Sequence, residues 1–179
     1  MTVDDLVSPL AAESTRRTAA PRWTGESGTI TLSDSMLNSS AGWGRGILTS
    51  VAAAIAEFSP RAVTETISRP QIGDHRPHEF VAHLSQAQVS GLVVTAGDCA
   101  TCTSRALREC VLAEEAGIPA TGVIPAALRE IGHATLLTWG RPDLHVAWLD
   151  TPLFQLRSES LVSTVRPASE EAWRILTKG

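Results

Sequence analysis

Short apolar runs alternate with stretches of helical periodicity along this chain, and that alternation constrains its fold more than any other feature. Thr29-Ile30-Thr31-Leu32 reads as a first strand ending at Asp34, and Gly46 to Phe58 follows as an Ala-rich helix closed by Ser59-Pro60. Ala62 to Ile67 alternates as a second strand. A polar loop over Arg69 to His78 leads to a helix over Glu79 to Gln88. Gly91-Leu92-Val93-Val94-Thr95-Ala96 is the strongest strand. It is apolar on both faces, as a strand in the middle of a covered sheet must be. Thr103 to Ala116 predicts a helix stopped by Gly117, and Ile118 to Ile124 a fourth strand. Pro125 to Leu128 opens a helix with Pro in its first turn, and Leu144 to Leu149 reads as a fifth strand. After Pro152 the pattern weakens until Glu170 to Leu176, a short closing helix.

Strand and helix alternating in this way predict an α/β fold, doubly wound and flavodoxin-like. Its five-stranded sheet is mainly parallel, with helices on both faces. The commonest strand order for that architecture, 2-1-3-4-5, brings the carboxyl ends of strands one and three together. The loops at Asp34–Asn38 and Gly97–Cys102 would then face one crevice, where ligands of such sheets bind. Residues 1–28 are rich in Ser, Thr, Pro and charge and read as a polar arm. Residues 29–153 form the α/β domain, and 154–179 a C-terminal extension carrying the short helix.

Composition removes several chemistries. There is no Tyr, so a phenol cannot act as general acid, and the only Lys is Lys178. A Walker-type loop, a pyridoxal Schiff base and a core lysine nucleophile all need a well-placed Lys and are excluded. The net charge of −4 gives no reason to expect nucleic acid or an anionic membrane as partner. Three Cys in 179 residues do not make a disulfide scaffold. The first residues carry Asp4 and Asp5 without an apolar core, so no signal peptide is expected. The longest apolar stretch, Val51 to Ala56, is too short for a membrane span. The expected address is the cytoplasm.

One segment carries chemistry: Gly97-Asp98-Cys99-Ala100-Thr101-Cys102-Thr103-Ser104, between the strongest strand and its helix. Gly97 permits a sharp exit from the strand. Cys99 and Cys102 lie three apart, so both sulfurs can point the same way as the turn winds into a helix. The unpaired N–H groups and positive dipole of a helix N-terminus favour a thiolate over a thiol. Thr101 or Thr103 can cap that helix or donate to a bound anion. An isolated buried Cys is ordinarily core, which is how Cys110 reads.

The stretch Gly91–Val123, GLVVTAGDCATCTSRALRECVLAEEAGIPATGV, resembles the UGSC family, named for a selenocysteine-Gly-Ser-Cys loop in which Cys often replaces the selenocysteine. The resemblance reaches back to Asp34-Ser35-Met36-Leu37-Asn38 and on to about Leu153. It places Cys99 at the selenocysteine position and Cys102 as the second thiol, followed by Thr103. The helix ending in Ala116-Gly117-Ile118-Pro119 fits as well. The family's Gly-Ser is here Ala100-Thr101, a bulkier pair that can narrow the pocket. The likeness implies nucleophilic or redox chemistry at Cys99, similar to the selenoprotein component of glycine reductase, and names no substrate.

The expectation is therefore a thiol-dependent enzyme acting on a small molecule. Cys99 is the nucleophilic or redox thiolate and Cys102 the resolving thiol, supported by Asp98, Thr101 and Thr103. Asp34, Asn38 and Ser39 are the candidate substrate contacts, no cofactor is required, and a thiol reductant and further subunits are the expected partners. The rival is a zinc or copper site in which His75 and His78 join the two Cys. A one-Cys variant of the aspartate/glutamate racemase pattern is a second alternative, since the first-strand loop offers no second Cys. A nitrile hydratase-like metal claw lacks its third Cys, because Thr103 and Ser104 stand there.

Overall fold

The structure is a computed structural model and describes residues 19–25, 27–34, 43–68, 77–151 and 160–179. Five strands, β1 (Gly28–Asp34), β2 (Ala62–Ser68), β3 (Gly91–Thr95), β4 (Ala120–Pro125) and β5 (Ala147–Leu149), form one sheet. The helices are α1 (Trp43–Phe58), α2 (Pro77–Gln86), α3 (Ala100–Glu115), α4 (Arg129–Thr138) and α5 (Leu161–Lys178). The order is β2-β1-β3-β4-β5 and every pairing is parallel, which is the doubly wound α/β architecture. Its register sets Asp34 of β1 against Thr95 of β3, so these two carboxyl ends lie side by side.

Each face of the sheet has its own core. Leu92, Val94 and Ala96 on one side of β3 pack with residues of α2, α3 and α4, whereas Val93 packs on the other side with α1 and α5. β3 and β4 are buried at every residue, and β5 at the edge is only three residues long. α3 ends where Gly117 takes φ +82 and donates to Glu114 O while Ile118 donates to Ala113 O, a turn in which any side chain would be strained. Gly132 lets α4 approach the sheet, because a Cβ there would stand 2.6 Å from the Trp148 ring.

Three expectations about extent are revised. α5 runs from Leu161 to Lys178 rather than over Glu170–Leu176, with Val165, Ala168, Ser169, Ala172, Ile175 and Leu176 buried. These positions have helical spacing, but three of the six are Ala or Ser, so the stripe is weakly apolar in sequence. Pro167 lies on the exposed side, where water can replace the missing helical hydrogen bond. α3 begins at Ala100, three residues before the expected Thr103. Residues 19–25, expected within a polar arm, are packed on the domain. Ala20 and Trp23 are buried, Trp23 N–H donates to Leu176 O (3.0 Å), and its ring meets Trp173 edge-on at 5.0 Å. No described helix is long and apolar enough to cross a membrane.

Candidate functional site

β3 leaves the sheet at Thr95, and the chain turns through Ala96-Gly97-Asp98 directly into α3. Cys99 is the residue on which this turn closes. Its N–H donates to Gly97 O (2.7 Å), and its backbone is extended, φ −145 and ψ 120. Its carbonyl accepts the N–H of Thr103 at 3.0 Å. It is the N-cap of α3, and its Sγ accepts the N–H of Cys102 at 3.2 Å. A serine or threonine oxygen usually fills that role, satisfying one of the four orphan donors of a helix start. Here a sulfur fills it.

The second thiol follows from the first. With Cys99 at the cap and Cys102 in the first turn, the Sγ atoms lie 2.6 Å apart, with Cys102 as donor. Both are free thiols, Cys102 buried and Cys99 half-buried. A small side-chain rotation brings such a pair to the disulfide length of about 2.05 Å. Asp98, Ala100 and Thr101 around Cys99 are exposed, so its half-buried sulfur can be approached from outside. That sulfur lies at the N-terminal, positive end of the 16-residue helix α3.

The supporting residues divide. Thr101 is exposed in the first turn of α3 and does not cap it, because Cys99 occupies the cap position. Thr103 is fully buried and its Oγ1 has no hydrogen-bond partner. Helical hydroxyls elsewhere, those of Ser50, Ser85, Thr135, Ser169 and Thr177 among them, bond the carbonyl four residues back. That of Thr103 does not, so one turn beyond Cys99 a donor stays unspent. Thr95, four residues before Cys99, is likewise fully buried with an unpartnered hydroxyl. Sequence reasoning passed over Thr95 because it reads as one more strand residue. Its register opposite Asp34 is the only signal, and that signal needs the strand order.

Asp34 is brought to the crevice as the last residue of β1, beside the end of β3. Asn38, Ser39 and His75 lie outside the described residues, and His78 is placed by the backbone of α2 alone. Among the described residues no group of three or more His, Cys, Asp and Glu is arranged to hold a metal ion. Cys110, two turns along α3, is fully buried in the core. Desolvation, reinforced by Glu109 and Glu114, pushes its thiol well above the usual range. Arg105 pairs with Glu109 along the helix at 3.5 Å, and the Arg108 guanidinium lies 4.6 Å from the ring centroid of Trp139 at the end of α4, so each has a partner away from the dithiol.

No curated protein and no solved structure matches the sequence. A family model described as the UGSC family matches residues 5–178. The match runs far beyond the CxxC stretch and includes the packed segment before β1 and all of α5. A likeness that spans every element of the sheet and both of its helical layers is one of whole chains, and this chain belongs to the UGSC family.

Proposed function

We propose that the chain is a thiol-dependent enzyme acting on a small-molecule substrate, with Cys99 as attacking sulfur and Cys102 as resolving thiol. The observation that carries this reading is the cap itself. A half-buried sulfur at a helix N-terminus receives a backbone N–H at 3.2 Å and has a second thiol 2.6 Å away. In a redox cycle the Cys99 thiolate attacks one sulfur of a disulfide substrate and expels the other as a thiolate, leaving a mixed disulfide. Cys102 then gives up its proton and attacks Cys99 Sγ, which releases the second product thiolate and closes Cys99–Cys102. Two electrons pass from the dithiol to the substrate, and a thiol reductant must return them. Thr103 Oγ1 and the α3 N-terminus stabilise negative charge during these steps, and Asp34 with Asn38 and Ser39 contacts the substrate across the crevice.

The same pair supports attack of Cys99 on a carbon bearing a leaving group, with thioether formation. Cys102 attack on Cys99 Sγ then expels the carbon, which takes a proton, and the same disulfide closes. Intact mass spectrometry of Cys102→Ser after incubation with candidate substrates separates the two. The redox cycle leaves a reductant-sensitive adduct on Cys99, and carbon attack leaves one that resists reductant. The unreduced wild-type protein is expected to be two mass units light, a loss reversed by reductant and abolished in Cys102→Ser. Stoichiometric zinc or copper with both thiols reduced would reject the dithiol reading in favour of a site completed by His75 and His78.

A further inference from the structure

At the opposite edge of the sheet from Cys99, where β4 begins and α3, α4 and α5 end, lies a cavity of about 230 Å³. Ala19, Arg22, Glu114, Arg141, Asp143 and His145 are among its walls. Arg141 is 1% exposed. Its Nε donates to Asp143 Oδ1 and Oδ2 at 3.0 and 3.2 Å, and its Nη2 to Oδ2 at 3.1 Å. Its Nη1, also buried, meets no acceptor.

Among the described residues, the neighbouring carboxylates and helix-end carbonyls are already engaged. Oε1 of Glu114 accepts Arg22 Nη1 at 2.8 Å and Ala120 N at 2.9 Å, while Oε2 accepts Ala20 N at 2.8 Å and Arg22 Nη2 at 3.1 Å. Four donors saturate a carboxylate. The Asp143 side chain is 60% exposed, so much of its charge is solvated. The helix ends are occupied as well. Trp139, Gly140 and Arg141 donate to the carbonyls of Thr135, Leu137 and Leu136 at the end of α4. Ala116, Gly117 and Ile118 do the same for Leu112, Glu114 and Ala113 at the end of α3. Arg141 Nη1 is therefore not a cap for either helix. A buried charged donor left bare is costly and rare, and where its side chain lines a cavity the partner is a water, an ion or a ligand.

We propose that this cavity binds a small oxyanion, of the chemistry shared by the carboxylate of a compact organic acid and inorganic phosphate. Arg141 Nη1 grips it, and Arg22 and the His145 imidazole stand alongside. Arg141 and Arg22 each direct one guanidinium edge to an internal carboxylate, so the anion receives single rather than forked hydrogen bonds. Compact oxyanions fit that pattern. The site lies across the sheet from the dithiol and does not depend on the chemistry proposed there.

Isothermal titration of the full-length protein with sodium acetate and with sodium phosphate, at an ionic strength held constant with chloride, tests the proposal. Saturable one-to-one binding of either anion is expected. Preference for acetate assigns an organic acid, and preference for phosphate the inorganic ion. Arg141→Gln should weaken binding by about tenfold or more. Ala19→Phe, at an exposed wall position, closes the cavity without touching a charge. It should abolish binding while leaving the thermal midpoint of the anion-free protein in place, so it carries the test if Arg141→Gln does not fold. Heats no larger than the chloride control for both anions would overturn the proposal, as would unaltered binding to a folded Ala19→Phe.

Discussion

The three cysteines lie within twelve positions of one another on a single turn and helix, and their surroundings give them three different states. Cys99 caps a helix, Cys102 donates to it, and Cys110 is sealed in the core. Cys110 has a consequence in pH. The folded chain holds its thiol proton to higher pH than the unfolded chain, where the group ionises near about 8.5. The stability associated with that proton is complete below about pH 8.5 and is lost as pH rises from there toward the raised folded value, at up to about 1.4 kcal/mol per pH unit. Urea denaturation of wild type and Cys110→Ala from pH 7 to 10 checks it. The stability gap between the two should shrink above about pH 8.5, and a constant gap would show that Cys110 ionises alike in both states. The CxxC pair was legible because spacing alone places both residues in one helical turn. The capping arrangement was not, because Cys is absent from the residues that usually cap, whereas Thr101 and Thr103 beside it are of the usual type. The unspent hydroxyls of Thr95 and Thr103 belong to no sequence pattern, since only packing decides whether a threonine finds a partner.

Among the elements, α5 departs furthest from what its residues suggest. Its buried stripe is built on Ala168, Ser169 and Ala172 between Val165 and the pair Ile175-Leu176. Small residues let it lie close to α1 and to β4 and β5, and burial of Val165, Ile175 and Leu176 contributes about 1.5–3 kcal/mol each. Ala172→Asp places an unpaired carboxylate in that contact and should cost at least about 3 kcal/mol, lowering the chemical-denaturation midpoint of the whole domain in one transition. If α5 frays separately while the sheet keeps its midpoint, the helix is an appendage after all. β3 was recognisable from its continuous apolar run, and the strand order followed from the commonest architecture for five alternating strands and helices. The small-residue stripe of α5 left no comparable trace.

On the scale of the whole molecule, Glu114 joins parts distant in sequence. Its carboxylate receives Ala20 and Arg22 from before β1 and Ala120 from β4, and lies 3.8 Å from Arg141. Glu114→Ala takes the carboxylate partner from Arg22 and the acceptor from the buried N–H groups of Ala20 and Ala120, while Arg141 keeps Asp143. It should cost about 3–5 kcal/mol in guanidinium denaturation. A loss below about 1 kcal/mol would place this cluster with weak surface pairs.

The same wiring dictates an order of events during synthesis. β1 sits between β2 and β3, so its second neighbour is absent until residue 95 has been made. The segment ahead of β1 waits longer, because Trp23 hydrogen-bonds Leu176 and packs edge-on against Trp173. A ribosome emits these partners about 150 residues apart, at about 5–20 residues per second, so the opening segment must stay soluble and uncommitted for several seconds or more. Docking of this segment on α5 is thus a late step, and the polar, proline-bearing character of residues 1–24 is what a chain needs while it waits.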